Sequence, residues 1–198
     1  NTMHPPFDDR RVRRAISHAI NKEPIVKFAY QGRAIAAHGP LPPGQWGYHV
    51  PALAYAYDPA LARKLLGEAI ADHTFDPARV YKLYAPSTPR TYLSQPERVA
   101  RYLQTALSQV GVTTELVLSP MGVYSDSVGR GDHDLALAGW VGDTGDPDNF
   151  LYVLLDKDNA VKPAQNISFY KSDKLHDLLA KAQIETDVKK RTDLYKQA

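Results

Sequence analysis

Three carboxylates fall within six residues in a stretch that runs from position 135 to 155 and reads LALAGWVGDTGDPDNFLYVLL. They belong to Asp143, Asp146 and Asp148. Carboxylates this close together can bind a metal ion, act as an acid and base pair, cap a helix or bind a cationic group of a ligand. The glycines and the proline among them indicate a loop, and loops at strand ends are where open α/β sheets bind ligands.

The spacing of these acids argues against a metal site. A calcium loop of the EF-hand type requires acids at alternate positions, then a glycine and a distal glutamate, whereas Pro147 stands where that loop needs backbone freedom. Asp146 fits a helix cap better, because Asp-Pro-Asp-Asn precedes an apolar run and puts Pro147 at the first helical position. An acid-dependent hydrolase that uses Asp143 and Asp146 is an alternative, since two carboxyls in differently tuned environments can share acid and base roles.

Asp143 differs from the other two acids, because glycines on both sides separate it from the helix and Trp140 lies just before it. A carboxylate beside an aromatic wall is typical of a site for a cationic group. Arg90, in Thr-Pro-Arg-Thr-Tyr, follows the first central strand of the predicted sheet. Because the carboxyl ends of parallel strands share one edge, we expect Arg90 and Asp143 on the same side of the sheet, where together they would complement a zwitterion.

The elements that must position these residues alternate in type. Hydrophobic periodicity and turn residues predict five central elements in the order βαβαβ, with strands at 80–85, 113–118 and 133–140 and helices at 94–109 and 122–129. This order predicts an α/β fold with a mostly parallel or mixed sheet and helices packed on it.

Further helices are predicted on both sides of this centre. Asp8 or Asp9 is expected to cap one, a second starts near Lys22 and stops at Gly32, and Asp58 is expected to cap a third. The region from 172 to 198 predicts two more, the second of them capped by an aspartate. Between 39 and 59 the chain is rich in proline, glycine and aromatics, and we expect it to be packed by its own aromatic residues, Trp46, Tyr48, Tyr55 and Tyr57.

Composition excludes several classes of function. The chain has 198 residues, no cysteine and a net charge of only +2, so disulfides and thiolate metal sites are absent and a nucleic-acid partner is not expected. The arginines at 10, 11, 13 and 14 are interpreted as a solvated helix face. The histidines lack ligand spacing, and no nucleotide-binding or nucleophile motif follows a strand, so we predict no cofactor, no metal and no catalytic residue.

Four segments together resemble a known family. They read PPFDDRRVRRAISHAIN, GPLPPGQWGY with AYDPALARKLL, PRTYLSQPERVARYLQTALSQVGV and GWVGDTGDPDNFL, and they are spread along the chain from residue 5 to residue 151. The chain resembles the C-terminal lobe of the family 5 extracellular solute-binding proteins, the dipeptide- and oligopeptide-binding proteins of ABC importers.

The resemblance implies a fold, a role and a location. Residues 1–198 would be a single ligand-binding lobe, lobe II of a two-lobed periplasmic binding protein-like fold, with the first lobe and a C-terminal return segment absent. The protein would be a non-enzymatic receptor that binds short peptides, most simply dipeptides, between its lobes and delivers them to permease subunits of the inner membrane. It would be periplasmic, or extracellular and lipid-anchored. Other members resembling this family bind nickel complexes, haem, glutathione or oligosaccharides, so the ligand class has these alternatives.

The resemblance also implies which residues bind the ligand. Asp143 would bind the ligand's α-ammonium group, and Arg90 would bind its carboxylate. Tyr92 would lie beside Arg90, and Trp140 would border a side-chain pocket. The family's Arg-Pro-Tyr segment has proline where this chain has Thr91.

Overall fold

The computed structural model describes residues 1–51 and 55–198. Within them the chain forms eight α-helices and one three-stranded sheet. The chain divides into two compact units. The first unit is Asn1–Ala36 with Tyr55–Gly139, and the second is Ala37–Ala54 with Trp140–Ala198.

The sheet belongs to the first unit and is entirely parallel. Its strands are β1 (Val80–Pro86), β2 (Thr113–Ser119) and β3 (Leu135–Ala136), in the spatial order β2-β1-β3. The central strand β1 is buried without interruption from Leu83 to Pro86, as is typical of a strand covered on both faces. The predicted α/β fold with a parallel sheet is therefore confirmed.

The third strand is much shorter than the sequence pattern over 133–140 predicts. The Leu137 N–H still donates to the Tyr84 carbonyl at 2.9 Å, and in a parallel ladder the next bond would come from the N–H of residue 86. Pro86 has no N–H to donate, so pairing stops there. The Leu137 carbonyl accepts the hydroxyl of Tyr124 at 2.6 Å instead.

Five helices accompany this sheet in the first unit. They are α1 (Arg10–Ala19), α2 (Lys22–Tyr30), α3 (Pro59–Ala71), α4 (Pro96–Ser108) and α5 (Met121–Arg130). The predicted caps are confirmed at Asp9 and Asp58, whose side chains accept backbone N–H groups at the start of α1 and α3. Helix α4 starts two residues later than predicted, because Pro96 lies in its first turn.

Two apolar clusters form the core of the first unit. One joins α1 and α3 to the start of β1, where Val12, Ala15, Ala62 and Ala69 are completely buried. The other joins α2 and α4 to the middle of β1 and centres on residues Ala29, Leu83, Leu93, Val99 and Leu103. Small residues on α1 and α3 allow the two helices to approach closely, and the larger aliphatic side chains fill the space next to the sheet.

The second unit is helical within its described residues. It contains α6 (Asp148–Leu155), a 3-10 turn (Lys157–Asn159), α7 (Asp173–Ile184) and α8 (Val188–Gln197). The two predicted C-terminal helices are confirmed, with Ser172 and Asp187 as their caps. Its main apolar cluster contains Leu41, Leu151, Leu179, Ala182 and Tyr195, and a smaller buried cluster contains Ala160, Ala164 and Phe169.

The aromatic segment predicted to be packed over 39–59 is only partly so. Trp46 and Tyr48 pack against the core of the second unit, but Tyr55 and Tyr57 are exposed. Part of this segment, residues 52–54, lies outside the described residues. Among the helices that are described, none combines the length and the apolar character needed to cross a membrane.

Asp9, the N-cap residue of α1, also belongs to a network of charged hydrogen bonds in the first unit. The Asp9 carboxylate accepts the Arg11 N–H, the Arg11 guanidinium and the Thr74 hydroxyl, each at 2.7 Å. Arg11 also contacts Asp72, so this arginine of the predicted solvated face takes part in ion pairs at the surface. The Arg11 hydrogen bonds, helped by Thr74, hold the pKa of Asp9 well below its usual range.

Asp9→Ala should lower the free energy of unfolding by about 1 to 2 kcal/mol at pH 7, the usual cost of removing an N-cap. A carboxyl whose pKa is depressed by folding stabilises the native state above its unfolded pKa of about 4 and loses that effect as the pH falls. Urea unfolding at pH 7 and pH 2.5 should therefore show a smaller loss at the lower pH. Asp126→Ala, on the exposed face of α5, is the control and should change stability by less than about 0.5 kcal/mol. Equal losses for Asp9→Ala at both pH values would contradict the charge network.

Candidate functional site

The loop from Trp140 to Pro147 lies in the second unit, and the side chain of Asn149 holds its first half. The Asn149 carbonyl oxygen Oδ1 accepts the Trp140 indole N–H at 2.8 Å and the Asp143 backbone N–H at 3.1 Å. Asn149 itself lies in the first turn of α6. The helix start thus fixes both the aromatic ring and the backbone of the acid that follows it.

The Asp143 carboxylate is the acid in this loop that stays unpaired. It is exposed, and within the described part of the chain its oxygens form no hydrogen bond or ion pair; its backbone N–H is what Asn149 binds. An unpaired carboxylate on a tethered backbone can accept charged hydrogen bonds from a cationic group. The geometry therefore allows the role expected for Asp143 without displacing an internal partner.

Asp146 has a different role from Asp143. Its two oxygens bind the Arg191 guanidinium at 2.7 and 3.0 Å, and Oδ1 also accepts the Asp148 N–H at 2.9 Å. The last bond satisfies the first N–H of α6, but the predicted cap is one residue off, because α6 begins at Asp148 and Pro147 occupies its N-cap position. Because both Asp146 oxygens are bound by an arginine, the pairing of Asp143 and Asp146 required for an acid-dependent hydrolase is not supported by the geometry.

Sequence reasoning missed Arg191, which holds this end of the loop from α8. Its Nε donates to the Ala182 carbonyl at 2.7 Å, and its guanidinium lies over the rings of Trp46 and Tyr195, 5.2 and 5.5 Å from their centroids. Arg191 and Asp146 are 45 residues apart, and no local pattern marks such a pair. An arginine that binds a carboxylate through two hydrogen bonds and also stacks on aromatic rings strongly restricts the position of that carboxylate.

Asp148 is the least satisfied of the three acids. It is half-buried, its Oδ1 has no hydrogen-bond partner among the described residues, and Gln183 reaches its other oxygen at 3.4 Å. Burial raises the pKa of Asp148, and the negative charge of Asp146 adds to this effect.

The three loop acids do not converge on a common point. Among the described residues, the group of potential metal ligands whose atoms lie close together is Asp156, Asp158 and His176. There the fully buried Asp156 carboxylate accepts the Asp158 N–H at 2.8 Å and lies 3.1 Å from His176 Nδ1 through each oxygen. These contacts satisfy the Asp156 carboxylate, as expected for a buried acid with a structural role.

Arg90 and Tyr92 lie in the first unit, just after β1. The Arg90 and Leu93 backbones exchange both hydrogen bonds, at 2.9 and 3.0 Å, which closes a tight turn around Thr91. The Arg90 side chain is exposed and its guanidinium has no partner among the described residues. Position 91 is threonine where the family has proline. The backbone at Arg90 is nevertheless fixed by its two hydrogen bonds with Leu93. A common cleft for Arg90 and Asp143 stays a prediction.

Two glycines permit close packing beside the expected site residues. Gly139 lies against the Tyr92 ring, so that a Cβ atom at this position would come within 2.7 Å of Tyr92 Cγ. Gly142 lies against Phe150, where an added Cβ would be 2.8 Å from Cε2. The Tyr92 backbone is also held, because the Tyr30 hydroxyl donates to its carbonyl at 2.7 Å. Glycine at 139 and 142 is thus a packing requirement.

Gly139→Ala should destabilise the protein by about 1 to 3 kcal/mol, because the added methyl group overlaps the Tyr92 ring and one of them must move. Gly67→Ala is the matched control, since Gly67 lies inside α3 and an added Cβ there meets nothing within 4 Å. That control should stabilise the helix by about 0.5 to 1 kcal/mol. Urea unfolding measures both, and a neutral or stabilising Gly139→Ala would show that Tyr92 does not pack as described.

Asp148→Asn should raise the free energy of unfolding at pH 7, because it removes a charge whose burial raises the pKa of the carboxyl. A carboxyl whose pKa is raised by folding is destabilising when ionised, and this effect disappears below its unfolded pKa of about 4. The gain should therefore be present in urea unfolding at pH 7 and absent at pH 3. Asp177→Asn, exposed on α7, should show no gain at either pH, and a loss of stability for Asp148→Asn at pH 7 would contradict this account.

Comparison with known proteins agrees with the fold. The dipeptide-binding protein of Escherichia coli is 36% identical over 198 residues, which is all of this chain and 36% of that relative. Two solved structures are similar in shape. The ABC transporter-associated periplasmic binding protein DppA from Helicobacter pylori, in complex with the peptide STSA, has a TM-score of 0.90 at 36% identity, covering 100% of this chain and 37% of that one. The dipeptide-binding protein from Pseudoalteromonas sp., in complex with Met-Leu, has a TM-score of 0.88 at 32% identity, covering 98% and 38%.

The chain thus spans a little over a third of the length of these relatives. The family model that matches describes the bacterial extracellular solute-binding proteins, family 5 Middle, and it matches residues 1–162, which include Arg90, Tyr92, Trp140 and Asp143. With most of its length matched by that model and its fold shared with periplasmic binding proteins, the chain belongs to the family 5 bacterial extracellular solute-binding proteins.

Proposed function

We propose that this chain is the C-terminal ligand-binding lobe of a receptor that binds short peptides for an ABC importer. The observation that carries the proposal is the Asp143 carboxylate, which is exposed and unpaired on a loop whose backbone Asn149 holds. A ligand ammonium group supplies the charge that the site lacks.

Peptide is the ligand class that best matches the charged groups. The unpaired Arg90 guanidinium would bind the ligand's carboxylate at the other end, and Tyr92 would pack beside it. Anchors for both termini would discriminate ligand length, since each residue of an extended chain adds about 3.3 to 3.6 Å. The peptide complexes of two similar structures support the same class. Trp140 would line a roomy side-chain pocket in which water mediates part of the recognition.

The remaining parts of the proposal concern the whole protein. Residues 1–198 act as one lobe, a first lobe supplies the rest of the contact surface, and closure of the two excludes water from the peptide. The receptor delivers its ligand to permease subunits of the inner membrane from the periplasm or from a lipid anchor in the cell envelope. It catalyses no reaction, which agrees with the engagement of Asp146 by Arg191.

In the full-length protein, Asp143→Ala and Arg90→Ala should each weaken dipeptide binding by about 2 to 5 kcal/mol, because each leaves a charged end of the ligand without its partner. Isothermal titration calorimetry measures the loss. Asp143→Ala should no longer distinguish a dipeptide from its N-acetyl form, and Arg90→Ala should no longer distinguish it from its C-terminal amide. Asp126→Asn and Arg10→Ala, both exposed in the first unit, are the controls and should bind as the unsubstituted protein does.

The same titration separates the peptide from other solutes. Haem, a nickel–histidine complex, glutathione and an oligosaccharide are titrated in parallel with the dipeptide. Tight binding of one of these with no binding of any di- or tripeptide would replace the proposed ligand. Unchanged dipeptide affinity in both Asp143→Ala and Arg90→Ala would rule out the zwitterion clamp.

A further inference from the structure

Asn149 stands apart from the other side chains near the loop, because one of its atoms holds two different parts of the proposed ammonium site. Its Oδ1 lies 2.8 Å from the Trp140 indole nitrogen and 3.1 Å from the Asp143 backbone nitrogen. We infer that Asn149 is the positioning residue of this site. It fixes the position of the Asp143 carboxylate relative to the Trp140 ring. The inference rests on the proposed peptide-binding function and assigns a role to a residue outside the expected ligand contacts.

The chemistry of the two donors determines which end of the Asn149 amide faces the loop. An indole N–H and a backbone N–H can donate a hydrogen bond but cannot accept one. If the Asn149 amide were flipped, its NH₂ group would face two other donors and could form neither hydrogen bond. Only the amide oxygen can accept from both. The orientation of this amide follows from its partners.

Asn149 is itself held in place by its position at the start of α6. It belongs to the first turn of α6, where its own N–H donates to the Asp146 carbonyl at 3.2 Å. Asp146 is in turn bound by the Arg191 guanidinium through both oxygens. The support thus runs from α8 through Asp146 to the start of α6, and from Asn149 to the residues that would contact the ligand.

Loss of the Asn149 acceptor should affect the ammonium end of the ligand selectively. Without Oδ1 the Asp143 backbone and the Trp140 ring can move independently, so the carboxylate is no longer held next to its wall. Preorganised anchors bind more tightly because the ligand does not have to order them. A general loss of folding would instead weaken every ligand of the protein by a similar factor.

The test is the ratio of affinities for a dipeptide and its N-acetyl form in the full-length protein, measured by calorimetry. Asn149→Leu, which keeps the shape and removes the acceptor, should lower this ratio about tenfold, because binding must then order the two anchors that Asn149 no longer holds. Asn149→Asp keeps an acceptor oxygen in the same place and should retain at least the original ratio. In the double variant with Asp143→Asn, Asn149→Leu should cause little further loss, because the residue acts through Asp143.

The Trp140 indole N–H provides an independent readout. Its proton and nitrogen resonances, assigned with Trp140→Phe, should shift in Asn149→Leu toward those of an indole without this hydrogen bond and be restored in Asn149→Asp. Asn159→Leu is the matched control, since Asn159 belongs to the same unit but donates to the Tyr152 carbonyl at 2.9 Å. It should change neither the affinity ratio nor the resonance. If Asn149→Leu does not fold, Asn149→Ala removes the same acceptor with a smaller side chain.

The outcomes are distinct. An Asn149→Leu variant that keeps the original ratio would overturn the inference, and so would one that loses the same factor for both ligands. A protein without substitutions that shows no preference for the free amino group would instead refute the proposed function. A lowered ratio in Asn149→Leu, restored in Asn149→Asp, would support both.

Discussion

The ion pair between Asp146 and Arg191 is the contact on which the candidate site depends most. The loop from Trp140 to Pro147 contains no helix or strand, so side chains must hold what regular backbone pairing holds elsewhere. Arg191 binds both Asp146 oxygens, donates to the end of α7 at Ala182 and stacks on two aromatic rings. With Asp146 fixed, the start of α6 and its Asn149 are fixed as well, and from there the positions of Trp140 and the Asp143 backbone follow.

The same loop shows how three identical side chains acquire three roles. Asp146 is bound by an arginine, Asp148 is half-buried with one oxygen unsatisfied among the described residues, and Asp143 is exposed and unpaired. Only the third has its full charge available to a ligand. The difference lies in the surroundings of each carboxylate, because a partner or a loss of hydration changes what an ionised group can do.

Much of the fold follows from local features that the sequence displays. Asp9, Asp58, Ser172 and Asp187 cap helices because short polar side chains reach backbone N–H groups two or three residues ahead. The alternating order of strands and helices likewise predicts a parallel sheet, since parallel neighbours require a crossover between them. The expected length of the third strand was wrong because its pairing ends at Pro86, a residue on a different strand.

The sequence by itself determined the type and order of the elements, the helix caps and the family to which the motif of the loop belongs. These depend on neighbours a few residues apart, whose distances are set by backbone geometry. Only the tertiary structure decided which acid is paired, which glycines are required by packing and which side chain holds the loop. Arg191 lies 45 residues from Asp146, and Tyr92 and Gly139 come from separate parts of the chain. Such contacts depend on how the chain folds back on itself, and residue type and spacing alone carry no signal for them.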